Sequence, residues 1–113
     1  MKTSIKLNQK LLVTAVAAVL LVACSTQMQK PAGADNVRDK LTQLQSNPQL
    51  ANLAPVAIKD AEMAVRAAEE PRRDTQLAQH LVFMADRKVD TAAAQAQTRL
   101  AEARSRWMAT SDP

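Results

Sequence analysis

Apolar residues fall along this chain in three successive patterns. From Leu11 to Val22 they run unbroken except at Thr14, and the run stops at Ala23-Cys24. From Ser25 to Ala34 (STQMQKPAGA) they have no period at all. Beyond Asp35 they recur three or four residues apart, the spacing of one helix face. Val37, Leu41 and Leu44 mark a helix over 35–46, for which Asp35 is a suitable cap. Asn47-Pro48 ends it, because the residue before proline is pushed out of the α region. Asn47 can cap a short turn through Leu50 and Leu53, and Pro55 suits the first turn of a second helix over 55–70. Ala54, Ala57, Ile58, Ala61, Ala64, Val65 and Ala68 form its apolar face, opposite Lys59, Glu62, Arg66 and Glu69. Glu62 and Arg66 form a favourable i,i+4 pair. Pro71 stops this helix, and Asp74 begins a third over 74–109, in which no proline or glycine intervenes.

The third helix carries Ala78, Leu81, Val82, Ala85, Val89, Ala92, Ala93, Ala96, Leu100, Ala103 and Trp107 on one face. A turn as short as Pro71–Arg73 makes the second and third helices antiparallel neighbours. Alanine on both facing stripes allows axes to approach to roughly 8 Å. The large apolar side chains cluster at Leu77, Leu81, Val82, Phe83 and Met84, which predicts contact there with both the second helix and the Val37–Leu44 segment. His80 is expected to be partly buried among them. Two all-α architectures satisfy these lengths. The first two helices can run nearly collinear across Pro55 and form, with the third, an antiparallel hairpin with a broken first arm. Alternatively the chain folds back and makes a small three-helix bundle from which the end of the third helix projects. The matching lengths of the two arms favour the hairpin. Residues 110–113 form a C-terminal tail.

The aperiodic and unbroken apolar stretches have a different meaning. Met1–Lys10 is basic and precedes a run too short to span a bilayer comfortably, for which roughly 18 or more apolar residues are needed. A charged segment, a short apolar core and small residues make a secretory signal over 1–23. A buried N-terminal helix and a retained anchor are the other readings. The junction Leu21-Val22-Ala23-Cys24 resembles the bacterial lipobox. That resemblance implies diacylglycerol on the Cys24 thiol, cleavage between Ala23 and Cys24, and acylation of the new amine by a fatty chain such as palmitate. One acyl chain binds a membrane marginally, whereas two or three hold firmly. A lone cysteine could also be a reactive thiol or an intermolecular disulfide, but its place at the end of the apolar run favours lipidation. Residues 24–34 then read as a lipidated flexible tether. Ser25, rather than aspartate, after the cysteine resembles the residue types associated with the outer membrane over inner-membrane retention.

Charge confirms little beyond this. The formal net charge is +4, yet Lys2, Lys6 and Lys10 lie in the signal. Removing them leaves a nearly neutral chain, so nucleic-acid binding is not indicated. Aromatic residues make up 2% of the sequence and tyrosine is absent, so the core must be built from alanine and short aliphatics. Candidate chemistry is correspondingly sparse. His80 and Met84 stand at i,i+4, but without a second histidine or a free cysteine they are too few donors for a metal site. Asp86 and Asp90 are also i,i+4; Arg87 and Lys88 beside them indicate a solvated or salt-bridged surface. No phosphate loop, nucleophile–base pair or metal spacing is present, and no cofactor is implied. Arg72 and Arg73 in the turn, together with Trp107, are the candidate interaction residues.

The segments Lys40–Pro55 (KLTQLQSNPQLANLAP), Asp60–Pro71 (DAEMAVRAAEEP) and Ala78–Val89 (AQHLVFMADRKV) resemble the domain of unknown function numbered 4398, found in bacterial envelope lipoproteins. The resemblance covers 35–109. Relatives often carry this region ahead of an OmpA-like peptidoglycan-binding domain. No such domain follows here, so peptidoglycan binding is not carried over. The resemblance supplies no activity and no functional residues. The expectation is a non-enzymatic protein, lipid-anchored on the periplasmic face of the outer membrane, whose helical domain engages an envelope protein or itself, self-association falling to Thr91–Trp107. The other expectation is a binding module for a wall or lipid component.

Overall fold

The structure, a computed structural model, describes residues 28–111. The segment 1–23 read above as a signal, the Ala23–Cys24 junction and Asp112-Pro113 lie outside the described residues. The described residues form three helices: α1 (Ala34–Ser46), α2 (Pro55–Glu69) and α3 (Thr75–Ser111). The described residues contain no strand. At 1.5 Å per residue, α3 is about 55 Å long.

Local chemistry sets most boundaries. Asp74 caps α3, its Oδ1 accepting from the Leu77 amide at 3.0 Å. Pro55 occupies the first turn of α2, and Glu70 leaves the helix in an extended conformation immediately before Pro71. Asn47 is likewise extended ahead of Pro48, and its side chain accepts from the Gln49 amide at 2.9 Å. The start of α1 differs from the expectation. Asp35 does not cap it; Gly33 holds the N-cap position with φ 87° and no side-chain cap. That left-handed conformation strains any residue with a Cβ. A Cβ at Gly33 would also stand 3.3 Å from Val82 Cγ1. Ala34 is fully buried, so the last tether residues belong to the fold rather than to a linker.

The helices form a three-helix bundle, not a hairpin with a broken arm. Lys88 reaches Asp60 at 2.6 Å, and Arg99 donates to the Leu53 carbonyl, so α2 and α3 run antiparallel. Arg38 near the start of α1 pairs with Glu69 at the end of α2, so these two are also antiparallel. Gly33 abuts Val82, and Lys40 contacts Asp86 and Asp90 at 2.6 and 2.7 Å; α1 therefore runs parallel to α3. The reversal occurs in residues 47–54, where successive turns close through Leu50→Asn47, Ala51→Asn47 and Leu53→Leu50 backbone bonds. Burial explains the choice. Folding back seats Val37, Leu41 and Leu44 on the groove between α2 and α3, whereas a collinear arm would have opposed them to the alanine, glutamine and threonine of the later third helix. Leu50 and Leu53 pack against the same core.

The buried residues keep a 3.5-residue spacing in every helix: Ala34, Val37, Leu41, Leu44; Ala54, Ile58, Ala61, Val65, Ala68; Ala85, Val89, Ala92, Ala96. This is the seam of a left-handed coiled coil. The register fixed by Lys88–Asp60 and Arg99–Leu53 places Val65 opposite Ala85, Ala61 opposite Val89, and Ile58 opposite Ala92. A branched side chain thus faces an alanine in each of these layers, and neither stripe alone fills the seam. Of the large apolar cluster on α3, only Leu81 and Val82 reach the core; Leu77, Phe83 and Met84 are exposed. Beyond Leu100 no other element among the described residues lies alongside α3, and Ala101–Ser111 is exposed throughout.

Candidate interaction surface

The bundle has two unlike poles. One is the tether pole, where Gly33 and the α2–α3 turn lie together. The other is the distal pole, where residues 47–54 close the bundle and α3 projects past it. Arg72 and Arg73 stand in the turn at the tether pole. Arg72 is half-buried and pairs with Glu70 at 3.2 Å, its Nε lacking a partner among the described residues. Arg73 is exposed. Trp107 stands on the projecting end of α3, with 70% of its surface exposed. The structure therefore separates the three candidate residues onto opposite ends of the molecule.

The remaining candidates resolve into structural roles. His80 is exposed rather than partly buried, because the phase of α3 turns it away from the core. Met84 is exposed too, and no group of three or more His, Cys, Asp or Glu is placed to hold a metal among the described residues. Asp86 and Asp90 are clamped by Lys40, as a salt-bridged surface requires. Arg87 lies over one face of the Phe83 ring, 5.7 Å from its centre, while Phe83 stays exposed. Of the Thr91–Trp107 segment proposed for self-association, Ala92 and Ala96 are consumed in the chain's own core.

Three polar links join the elements in addition to Lys88–Asp60, and helical periodicity alone does not predict them. Arg38 grips Glu69 with both ends of its guanidinium fork, Nε to Oε1 at 2.8 Å and Nη2 to Oε2 at 2.6 Å. The fork hydrogen bond holds Glu69 below the ordinary carboxylate range and Arg38 above its own. Lys40 is raised, first by its bond to Asp86 and then by that to Asp90. Arg99 binds the Leu53 carbonyl, one of the groups the turn at residues 47–54 leaves open. Each of these cations flanks a seam position, a cue readable once the 3.5 spacing is recognised.

The Glu69 shift predicts a pH dependence. Because its folded pKa is depressed, folded Glu69 binds fewer protons than unfolded Glu69 in acid. Its contribution is complete above the ordinary glutamate value of about 4.3 and is lost as pH falls through its lower folded value. Glu69→Gln should therefore cost about 1 kcal/mol near neutrality, with a deficit that shrinks in acid. Urea unfolding at pH 7 and pH 3 measures both. Lys40 acts at the other extreme: its contribution is intact below about pH 10 and fades as pH rises through its raised value.

No helix among the described residues is long and apolar enough to cross a membrane. No curated protein and no solved structure matches the chain at a significant level. A family model does match, over residues 34–106, which takes in α1, α2 and α3 as far as Arg106. The chain belongs to that family, described as a domain of unknown function (DUF4398).

Proposed function

We infer that this is a lipid-anchored envelope protein, carried on the periplasmic face of the outer membrane by acylated Cys24 and acting through helix-mediated contact rather than catalysis. The observation that carries the reading is Leu21-Val22-Ala23-Cys24 at the end of a short apolar run behind a basic segment. The arrangement of the bundle is consistent with it. The chain enters at Gly33, so an anchor upstream holds the α2–α3 turn toward the lipid and presents the projecting end of α3 to the periplasm. Fractionation of cells making the Cys24→Ala variant tests the anchor. The expected result is loss of lipid labelling and transfer of the protein from the membrane fraction; persistent lipid-labelled, membrane-bound protein overturns it.

A second reading, a binding module for a wall or lipid component, draws on Arg73 and Arg72 at the tether pole. Their position at the pole where the chain enters the bundle at Gly33 favours lipid phosphate over wall glycan. Sedimentation with anionic vesicles should then show binding that Arg72→Ala/Arg73→Ala reduces severalfold. Retention on purified peptidoglycan that the same variant abolishes would favour the wall instead.

A further inference from the structure

The seam that holds the bundle together does not stop where the bundle does. Ala85, Val89, Ala92 and Ala96 are buried in it, and the same 3.5 spacing continues as Leu100, Ala103, Trp107 and Thr110. Leu100 is half-covered by the edge of the bundle, and the later positions are open. Met108 is turned about 100° from Trp107 and lies off the stripe, so Trp107 is the large residue on it. An exposed tryptophan in phase with a coiled-coil core is an interrupted interface rather than scattered surface apolarity.

The flanks of this stripe say what completes it. Arg104 lies on one side; Arg99 and Arg106 lie on the other. The acidic residue of the segment, Glu102, stands outside both flanks. Arg99 already binds Leu53, while Arg104 and Arg106 form no ion pair among the described residues. Flanking charges select coiled-coil partners, and like charges reject them. A second copy laid against this stripe brings the same arginines to the same flanks, in either orientation. Self-pairing through the projection is therefore disfavoured, contrary to the expectation drawn from composition.

We propose that residues 100–110 of α3 are a docking stripe for one amphipathic helix of another protein, whose apolar seam meets Ala103 and Trp107 and whose flanking residues are acidic. This deepens the contact reading above by naming its site and partner chemistry, and it rests on that reading. A stripe about three turns long makes a small interface, suited to a transient contact steered by charge.

The test is a photo-crosslinker placed singly at 100, 101, 103, 105, 107 and 108 of the full chain in cells, with crosslinked sites mapped by mass spectrometry. The expected result is a heterologous crosslink strong at 103 and 107, weak at 101, 105 and 108, and mapping to a helix with acidic flanks. Arg104→Glu/Arg106→Glu should lower its yield about tenfold, with the thermal transition of the purified protein unchanged because both side chains are exposed. Crosslinks independent of phase, crosslinks to a second copy, crosslinks to lipid or glycan, or none at all would each overturn the proposal. Loss of the anchor in Cys24→Ala is scored separately by fractionation, so the two readings can fail independently.

Discussion

Leu41→Ala will destabilise the domain by about 3 kcal/mol and, in so small a core, leave a substantial fraction unfolded at 37 °C. Leu41 is fully buried and is the largest such side chain in the bundle besides valines. Removing three carbons there forfeits their transfer energy and opens a cavity between rigid helices. Alanines around it have no rotamers with which to fill the space. The margin is thin for the same reason: alanine-rich seams bury little area per residue. The measurement is urea or thermal unfolding followed by far-ultraviolet circular dichroism. A loss under 1 kcal/mol would mean that α1 is not a structural member of the bundle, and would revive the hairpin.

Val65→Ala and Ala85→Val will each cost about 1–3 kcal/mol, one by a cavity and the other by crowding. Combined, they should cost at least about 1 kcal/mol less than the sum of the two, because the register sets the two positions against each other and the total volume is restored. Strict additivity would show that the positions do not meet, and that the antiparallel register derived from Lys88–Asp60 is wrong. Pairing Val65→Ala with Ala96→Val, one core step from the end of the α2–α3 seam, supplies the control and should be additive.

The extent to which this fold could be read from the sequence differs from helix to helix. Prolines 48, 55 and 71 and the Asp74 cap are local signals, and the helix ends fall within two residues of their expected positions because each acts over a single turn. The packing was harder to read. Two arms of equal length favour a hairpin by inspection, but length says nothing about area. The deciding quantity is what Val37, Leu41 and Leu44 bury against, and the groove between α2 and α3 exists only once those helices pair. Similarly, Gly33 looked like linker chemistry beside Pro31, and only its contact with Val82 shows it to be a packed N-terminus. His80 was misplaced because a single polar residue inside an apolar cluster does not reveal its own phase when the cluster covers more than one stripe. Trp107 was assigned to the right face, but periodicity could not show that its partner helix ends before reaching it. The proposed acyl anchor rests on four residues, Leu21-Val22-Ala23-Cys24, outside the described residues, and on the small residues and thiol that the lipobox resemblance calls for.

The parallel course of α1 and α3 has a mechanical consequence. A hairpin with a broken arm would bring its two chain ends to one pole, and a pull between them would open it one layer at a time. In the bundle the chain enters at Gly33 and α3 ends at the opposite pole. Tension between an anchored Cys24 and anything gripping the end of α3 therefore acts along the helix axes. It loads Val37, Leu41, Leu44 and the Lys40 clamp together, in shear. A core built largely of alanine and short aliphatics would thus be loaded in shear in the one direction in which an acyl tether at Cys24 would apply force.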